Sequence, residues 1–204
     1  MADILIDNQT APTTPASSKS VLWVDSTTKK QAATDDSGVH RGILSHNQYL
    51  GASFTSSAAD TYVTNSGLLI PSFGFQVGMM AQWICHVSKT AAGTTAAVVT
   101  VRLGSAQTTA DTSILAMTQV TAQAAVLNDG QLLVTVYPTV VSASGIFACS
   151  FGMTGGTTGW GSGKSAQSST ADNTGKAGLF LGISVNSQTS AVWTFTGVWA
   201  RLSQ

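Results

Sequence analysis

Residues 76–88 read Gln76-Val77-Gly78-Met79-Met80-Ala81-Gln82-Trp83-Ile84-Cys85-His86-Val87-Ser88. Val77, Met79, Ala81, Trp83, Cys85 and Val87 fall in one phase, with Gln82 and His86 in the other. Successive side chains of a strand point to opposite faces, so this period of two marks a strand with one face in a core. The pattern repeats outward from here. In 96–104, Val99, Val101 and Leu103 oppose Thr100 and Arg102; in 177–186, Leu179, Leu181, Ile183 and Val185 oppose Ser184 and Asn186. Further strand-like runs at 46–54, 60–69, 113–118, 130–138, 144–153 and 190–202 are separated by turn clusters. That spacing predicts an antiparallel sandwich or barrel.

The last run changes phase within itself. Trp193 and Phe195 share one phase, but Val198, Ala200 and Leu202 hold the apolar phase further on. One extra residue beside a glycine is how a β-bulge reads in sequence. A bulge at Thr196-Gly197 is therefore expected, turning Trp199 to the outer face beside Arg201 as a contact surface.

Composition agrees with an all-β chain. Of 204 residues, 43% are hydrophobic and 9% charged, with nine acidic residues that are all Asp. An average domain carries about 25% charged residues. Ser and Thr make up roughly a quarter of the chain, and a chain rich in Thr, Val, Ser and Gly without Glu favours strands and turns over helix. The formal net charge is zero, so electrostatics makes no case for nucleic acid or an anionic membrane as partner. A weakly charged surface guards poorly against self-association, which suits a protein that ends in an assembly.

Two units are expected. Residues 1–45 comprise an arm and a small meander. The arm has one apolar stretch (Ile4, Leu5, Ile6) and then a Thr/Pro/Ser tract with too few apolar groups to pack alone. The meander has strands at 21–24, at 31–34 and from Val39, with turns at 25–30 and at Asp35-Asp36-Ser37-Gly38. Residues 46–204 form the sandwich. The start of the chain lacks the basic and apolar regions of a signal peptide, and no apolar run approaches the ~20 residues of a membrane helix. The chain is expected to stay in the cytoplasm in which it is made until something releases it.

Residues 152–178, GMTGGTTGWGSGKSAQSSTADNTGKAG, read as a long polar excursion whose one large apolar residue is Trp160. Trp160 is expected to pin this loop to its own domain or to a neighbour. The sharper alternative makes it an aromatic platform for a glycan. A phosphate loop needs G-x-x-x-x-G-K-[ST] before a helix. Gly163-Lys164-Ser165 supply only the end of it, since the first glycine position is Thr158. His40, His46 and His86 show no metal-ligand spacing. Cys85 and Cys149 sit in separate runs and read as reduced core residues. Alternation puts Cys85 and His86 on opposite faces, against a nucleophile pair, and no G-x-S-x-G occurs. No enzyme, cofactor or metal site is signalled.

Two stretches carry a resemblance. Residues 21–42, VLWVDSTTKKQAATDDSGVHRG, resemble the strand, Asp-Ser turn, Lys, acidic turn and Gly module near the N-termini of many tailed-bacteriophage head-fibre, decoration and tail-fibre proteins. Residues 99–115, 132–154 and 181–202 resemble the sandwich that often follows it. The resemblance implies a jelly-roll-like β-sandwich, a homotrimer, and an N-terminal segment that docks on the virion. Without repeats, heptads or a shaft, the chain fits a capsid decoration (cement) or short head-fibre protein better than a tail spike. The expected partners are the major capsid protein or other virion proteins, with Ile4, Leu5, Ile6 and Trp23 as docking residues. Trp160, Trp199 and Arg201 are expected at subunit or ligand contacts. The alternatives are a receptor- or glycan-binding fibre module and a baseplate or tail-tip component.

Overall fold

The computed structural model describes residues 8–10, 13–17, 19–34, 40–49, 54–56, 58–89, 96–118, 127–154, 165–188 and 192–204. Among them there is no helix. The strands are β1 (Asn8–Gln9), β2 (Val21–Asp25), β3 (Gln31–Thr34), β4 (His40–Arg41), β5 (Ile43–Tyr49), β6 (Phe54–Ser56), β7 (Thr61–Tyr62) and β8 (Leu68–Leu69). They continue as β9 (Met80–Lys89), β10 (Val98–Gly104), β11 (Thr112–Thr118), β12 (Leu127–Val140), β13 (Gly145–Thr154), β14 (Ser165–Ala171), β15 (Phe180–Asn186) and β16 (Trp193–Ser203).

The larger sheet has the order β14-β13-β12-β9-β16-β5, with β6 also on β16; the facing sheet runs β11-β10-β15-β7, with β8 on β15. β9 pairs antiparallel with β16, and β10 with β15. The successive strands β9–β10 and β15–β16 therefore form one double ribbon that passes from the larger sheet to the facing one. The two antiparallel sheets joined by this ribbon make a β-sandwich. Trp83, Val87, Val134 and Val198 from one sheet and Val99, Val101, Ile183 and Val185 from the other fill a single buried cluster. Each such side chain contributes about 1.5–3 kcal/mol by leaving water. The buried indole of Trp83 is also satisfied, its Nε1–H donating to the Ser66 carbonyl at 2.7 Å.

The alternation at 76–88 continues past its expected end: Lys89 follows Ala81, Trp83, Cys85 and Val87 into the interior and is 1% exposed. Burial lowers its ammonium pKa from 10.5. Cys85 and Cys149 are free thiols in the core, and burial pushes both up to about 12.

The N-terminal strands form a separate sheet, β1-β2-β3-β4. Trp23 is fully buried, its Nε1–H donating to Thr34 Oγ1 at 3.0 Å and its ring meeting Phe73 edge-on at 5.9 Å. Asp25 is buried as well and accepts from Ser72. Gly42 and Gln204 exchange backbone hydrogen bonds at 3.0 and 3.1 Å. The small sheet is thus fastened to the sandwich by an aromatic contact, a carboxylate and a backbone pair.

Several expected boundaries move, each for a local reason. The run at 76–88 becomes a strand only from Met80, because Gly78 takes φ +92°, a conformation that ends a strand. Val77, expected in the core phase, is 59% exposed. The run at 60–69 divides into β7 and β8 around a turn in which Asn65 has φ +58°. The expected excursion at 152–178 contains β14, the outer strand beside β13. Its Ser/Thr-rich sequence carries no apolar alternation, and the backbone ladder holds it in place. Ser169 Oγ–H also donates to the Ile114 carbonyl at 2.5 Å.

Candidate binding surface

The register shift expected near Thr196-Gly197 is present. Phe195 pairs with Val87 and Gly197 with His86, leaving Thr196 without a counterpart on β9. The extra residue keeps Phe195 and Val198 in the core and turns Trp199 and Arg201 onto the outer face of the larger sheet. There Trp199 lies between Gln48 on β5 and Ile84 on β9, and Arg201 between His46 and Gln82. The Arg201 guanidinium carbon sits 5.1 Å from the Trp199 ring centre, a cation–π contact. His46 meets the same indole edge-on at 5.8 Å.

The turn between β2 and β3 overhangs this group. Lys29, Lys30 and Gln31 form one wall of a cleft of about 640 Å³, with His46, Trp199 and Arg201 forming the other. The turn is shaped by Asp25, whose Oδ1 accepts from the Thr27 and Thr28 amides at 3.0 and 2.7 Å, and by Lys29 at φ +58°. Burial acts to raise the Asp25 pKa, but the hydrogen bonds from Ser72 and Thr28 outweigh it and lower it from 3.8. This carboxylate is therefore committed to the turn and to Ser72. Lys29 turns its ammonium back onto the Ser26 carbonyl. Neither Lys30 nor Arg201 meets a carboxylate among the described residues, and Arg201 Nε is buried without an acceptor.

On the outer face of the neighbouring β12 and β13, Leu133 is 36%, Tyr137 43% and Ile146 36% exposed. A polar cluster lies on the facing sheet: Arg102 donates to Asp60 Oδ2, Ser184 Oγ and the Asp111 carbonyl at 2.5, 2.7 and 2.8 Å. With its partners inside the chain, that cluster reads as structural.

Of the residues singled out from sequence, Trp199 and Arg201 are brought together on an outer face. Trp23, expected to dock on a partner, is instead a core residue, because Trp23 and Asp25 share the inward phase of β2. The exposed apolar residue of that module is Leu22, at 58%. Ile4, Leu5, Ile6 and Trp160 lie outside the described residues, as does the Asp35-Asp36 turn. Lys29, Lys30 and His46 escaped the sequence reading as members of this cleft. Only the cross-strand register of β5 and β16 places His46 beside Arg201, more than a hundred residues away in the chain.

Cys85 is buried and His86 exposed on the opposite face, so the two do not form a pair. Among the described residues no group of three His, Cys, Asp or Glu side chains is placed to hold a metal, and no helix is long and apolar enough to cross a membrane. Compared with known proteins, the chain matches no family model, no curated protein and no solved structure.

Proposed function

We propose that this chain is a non-catalytic structural protein of a tailed-phage particle, one that decorates the capsid as a trimer and is held there by its N-terminal arm. The observation that carries the reading is the architecture of the N-terminus. The small sheet is fastened to the sandwich through Trp23, Asp25 and the Gly42–Gln204 pair, yet the described residues between Thr13 and Ser20 are almost all exposed. Residues 13–20 link β1 to β2, and an exposed, apolar-poor loop held at both ends by a rigid sheet is suited to being presented to a partner. The resemblance of residues 21–42 to the attachment module of phage head and fibre proteins supports the same reading.

In this reading Ile4, Leu5 and Ile6 contact the major capsid protein, or another virion protein, and Leu22 takes the docking role first assigned to Trp23. The exposed Leu133, Tyr137 and Ile146 supply the apolar surface for the subunit contact. Binding only to the assembled shell would stabilise that shell by RT ln(1 + [L]/Kd), and three arms on one trimer would add avidity without new contact types.

The test compares the full chain with a variant lacking residues 1–7 for co-sedimentation with undecorated capsids, with light scattering to follow the oligomer. The variant should keep the trimer and lose capsid binding. Equal binding by the truncated chain would remove the arm from the account, and a monomeric full chain would remove the trimer. Copy number in purified particles, in simple ratio to the capsid protein, separates a decoration protein from a sparse tail component.

A further inference from the structure

We infer that the cleft between the β2–β3 turn and the outer face of β5 and β16 is a binding site for a carboxylate-bearing saccharide. The inference does not depend on where in a particle the chain resides.

Charge selects the sign of the ligand. Lys30 and Arg201 stand on opposite walls without a carboxylate partner among the described residues. The described acid nearest Lys30 in sequence, Asp25, has both oxygens engaged by Thr27, Thr28 and Ser72. Two cations with no neutralising group among the described residues favour an anion over a neutral or cationic guest. The planar fork of a guanidinium matches a carboxylate in two-point contact. Arg201 is already oriented by its contact with the Trp199 ring, which removes part of the ordering cost of binding.

Shape selects the rest of the ligand. The volume, about 640 Å³, falls among those of small-molecule sites. The half-exposed Trp199 gives it an apolar aromatic floor, and a pyranose ring offers such a floor a flat face of C–H bonds. Gln31 and His46 supply neutral hydrogen-bonding groups at the margin, where sugar hydroxyls need partners. An extended peptide is a poorer fit. Peptides that bind sheets take their main-chain hydrogen bonds from a free strand edge, whereas here β3 packs against the outermost strand, β5, and the cleft walls are side chains.

The test uses the ¹⁵N-labelled full chain and follows the Trp199 indole N–H and the Arg201 Nε–H by NMR. Trp199→Phe identifies the indole signal among the five tryptophans. The probes are glucuronate, galacturonate and N-acetylneuraminate, with glucose as the neutral control and tetra-aspartate as the acidic peptide. At least one acidic sugar should move both signals saturably, with a Kd of about 1 mM for a single ring. Lys30→Gln lies at an exposed turn position and leaves the fold intact; it and Arg201→Gln should each weaken binding about tenfold. Three results would each overturn the inference: no response to any of the three acids, glucose binding as tightly as they do, or unchanged affinity in both variants. Tighter binding of tetra-aspartate than of every sugar would reassign the cleft to an acidic protein segment. None of these outcomes bears on the decoration reading, which stands on the arm.

Discussion

Replacing Asp25 by Ala should release the N-terminal sheet from the sandwich without unfolding the sandwich itself. Four donors converge on this carboxylate: the Thr27 and Thr28 amides on Oδ1, and the Ser72 amide and hydroxyl on Oδ2, at 3.2 and 2.5 Å. A hydrogen bond to a charged group contributes about 1.5–3 kcal/mol net. Thr27 and Thr28 are only partly buried, and water replaces much of what they lose. The two Ser72 bonds therefore dominate, and at the low end of that range they give a loss of about 3 kcal/mol. At 1.36 kcal/mol per decade this is a change of roughly a hundredfold in the opening equilibrium of the small sheet.

The assay is hydrogen exchange of the β2 and β3 amides, which should accelerate by about that hundredfold, while β9, β12 and β16 remain protected. Trp23, uncovered from Phe73, should shift its emission to the red. The pH dependence carries the same signature. The folded pKa of Asp25 lies below its ordinary value of 3.8, so the unfolded state takes up protons first as pH falls. The stabilisation is present above that value and is lost as pH drops through the lowered folded pKa. Asp25→Asn, which does not titrate, should show no such loss across this window. If Asp25→Ala leaves β2 and β3 exchange unchanged, the carboxylate is not what fastens the sheet.

Three further outcomes follow from the packing. A Cβ at Gly182 would lie 1.8 Å from Tyr62 Oη, so Gly182→Ala must displace a half-buried ring; thermal denaturation should show a loss of about 1–3 kcal/mol. Neither buried thiol should react with a disulfide reagent at pH 8 in the native protein, and both should react in denaturant. Rapid native labelling would contradict the burial that raises Cys85 and Cys149 to about 12. Deleting Thr196, which has no counterpart on β9, should be tolerated within about 1 kcal/mol. Deleting Thr194 turns the fully buried Trp193 outward and should cost about 3 kcal/mol or more. Equal melting points for the two deletions would argue against the bulge.

Much of the β-architecture was legible because it rests on local periodicity. Alternation at 81–87, 99–103 and 181–185 is a property of neighbouring residues, and so is the phase slip at Thr196-Gly197. β14 was not legible, since a polar strand held by its backbone ladder carries no apolar period. Lys89 was missed for the converse reason. A long side chain can continue a core phase when its stem packs among apolar neighbours, and residue type alone argues for the surface.

What the sequence by itself determined was the class of fold: an all-β sandwich, the buried phase of its main strands, the bulge, and two reduced core cysteines. These follow from side-chain alternation and burial preference, which act over a few residues. Only the tertiary structure decided what Trp23 does, since the inward phase of β2 and the position of Phe73 together make it a core residue and leave Leu22 outside. The cleft was decided in the same way. Lys30, His46 and Arg201 meet because a turn of one sheet overhangs the edge of another, and proximity across sheets depends on register and docking, which no local pattern in the chain encodes.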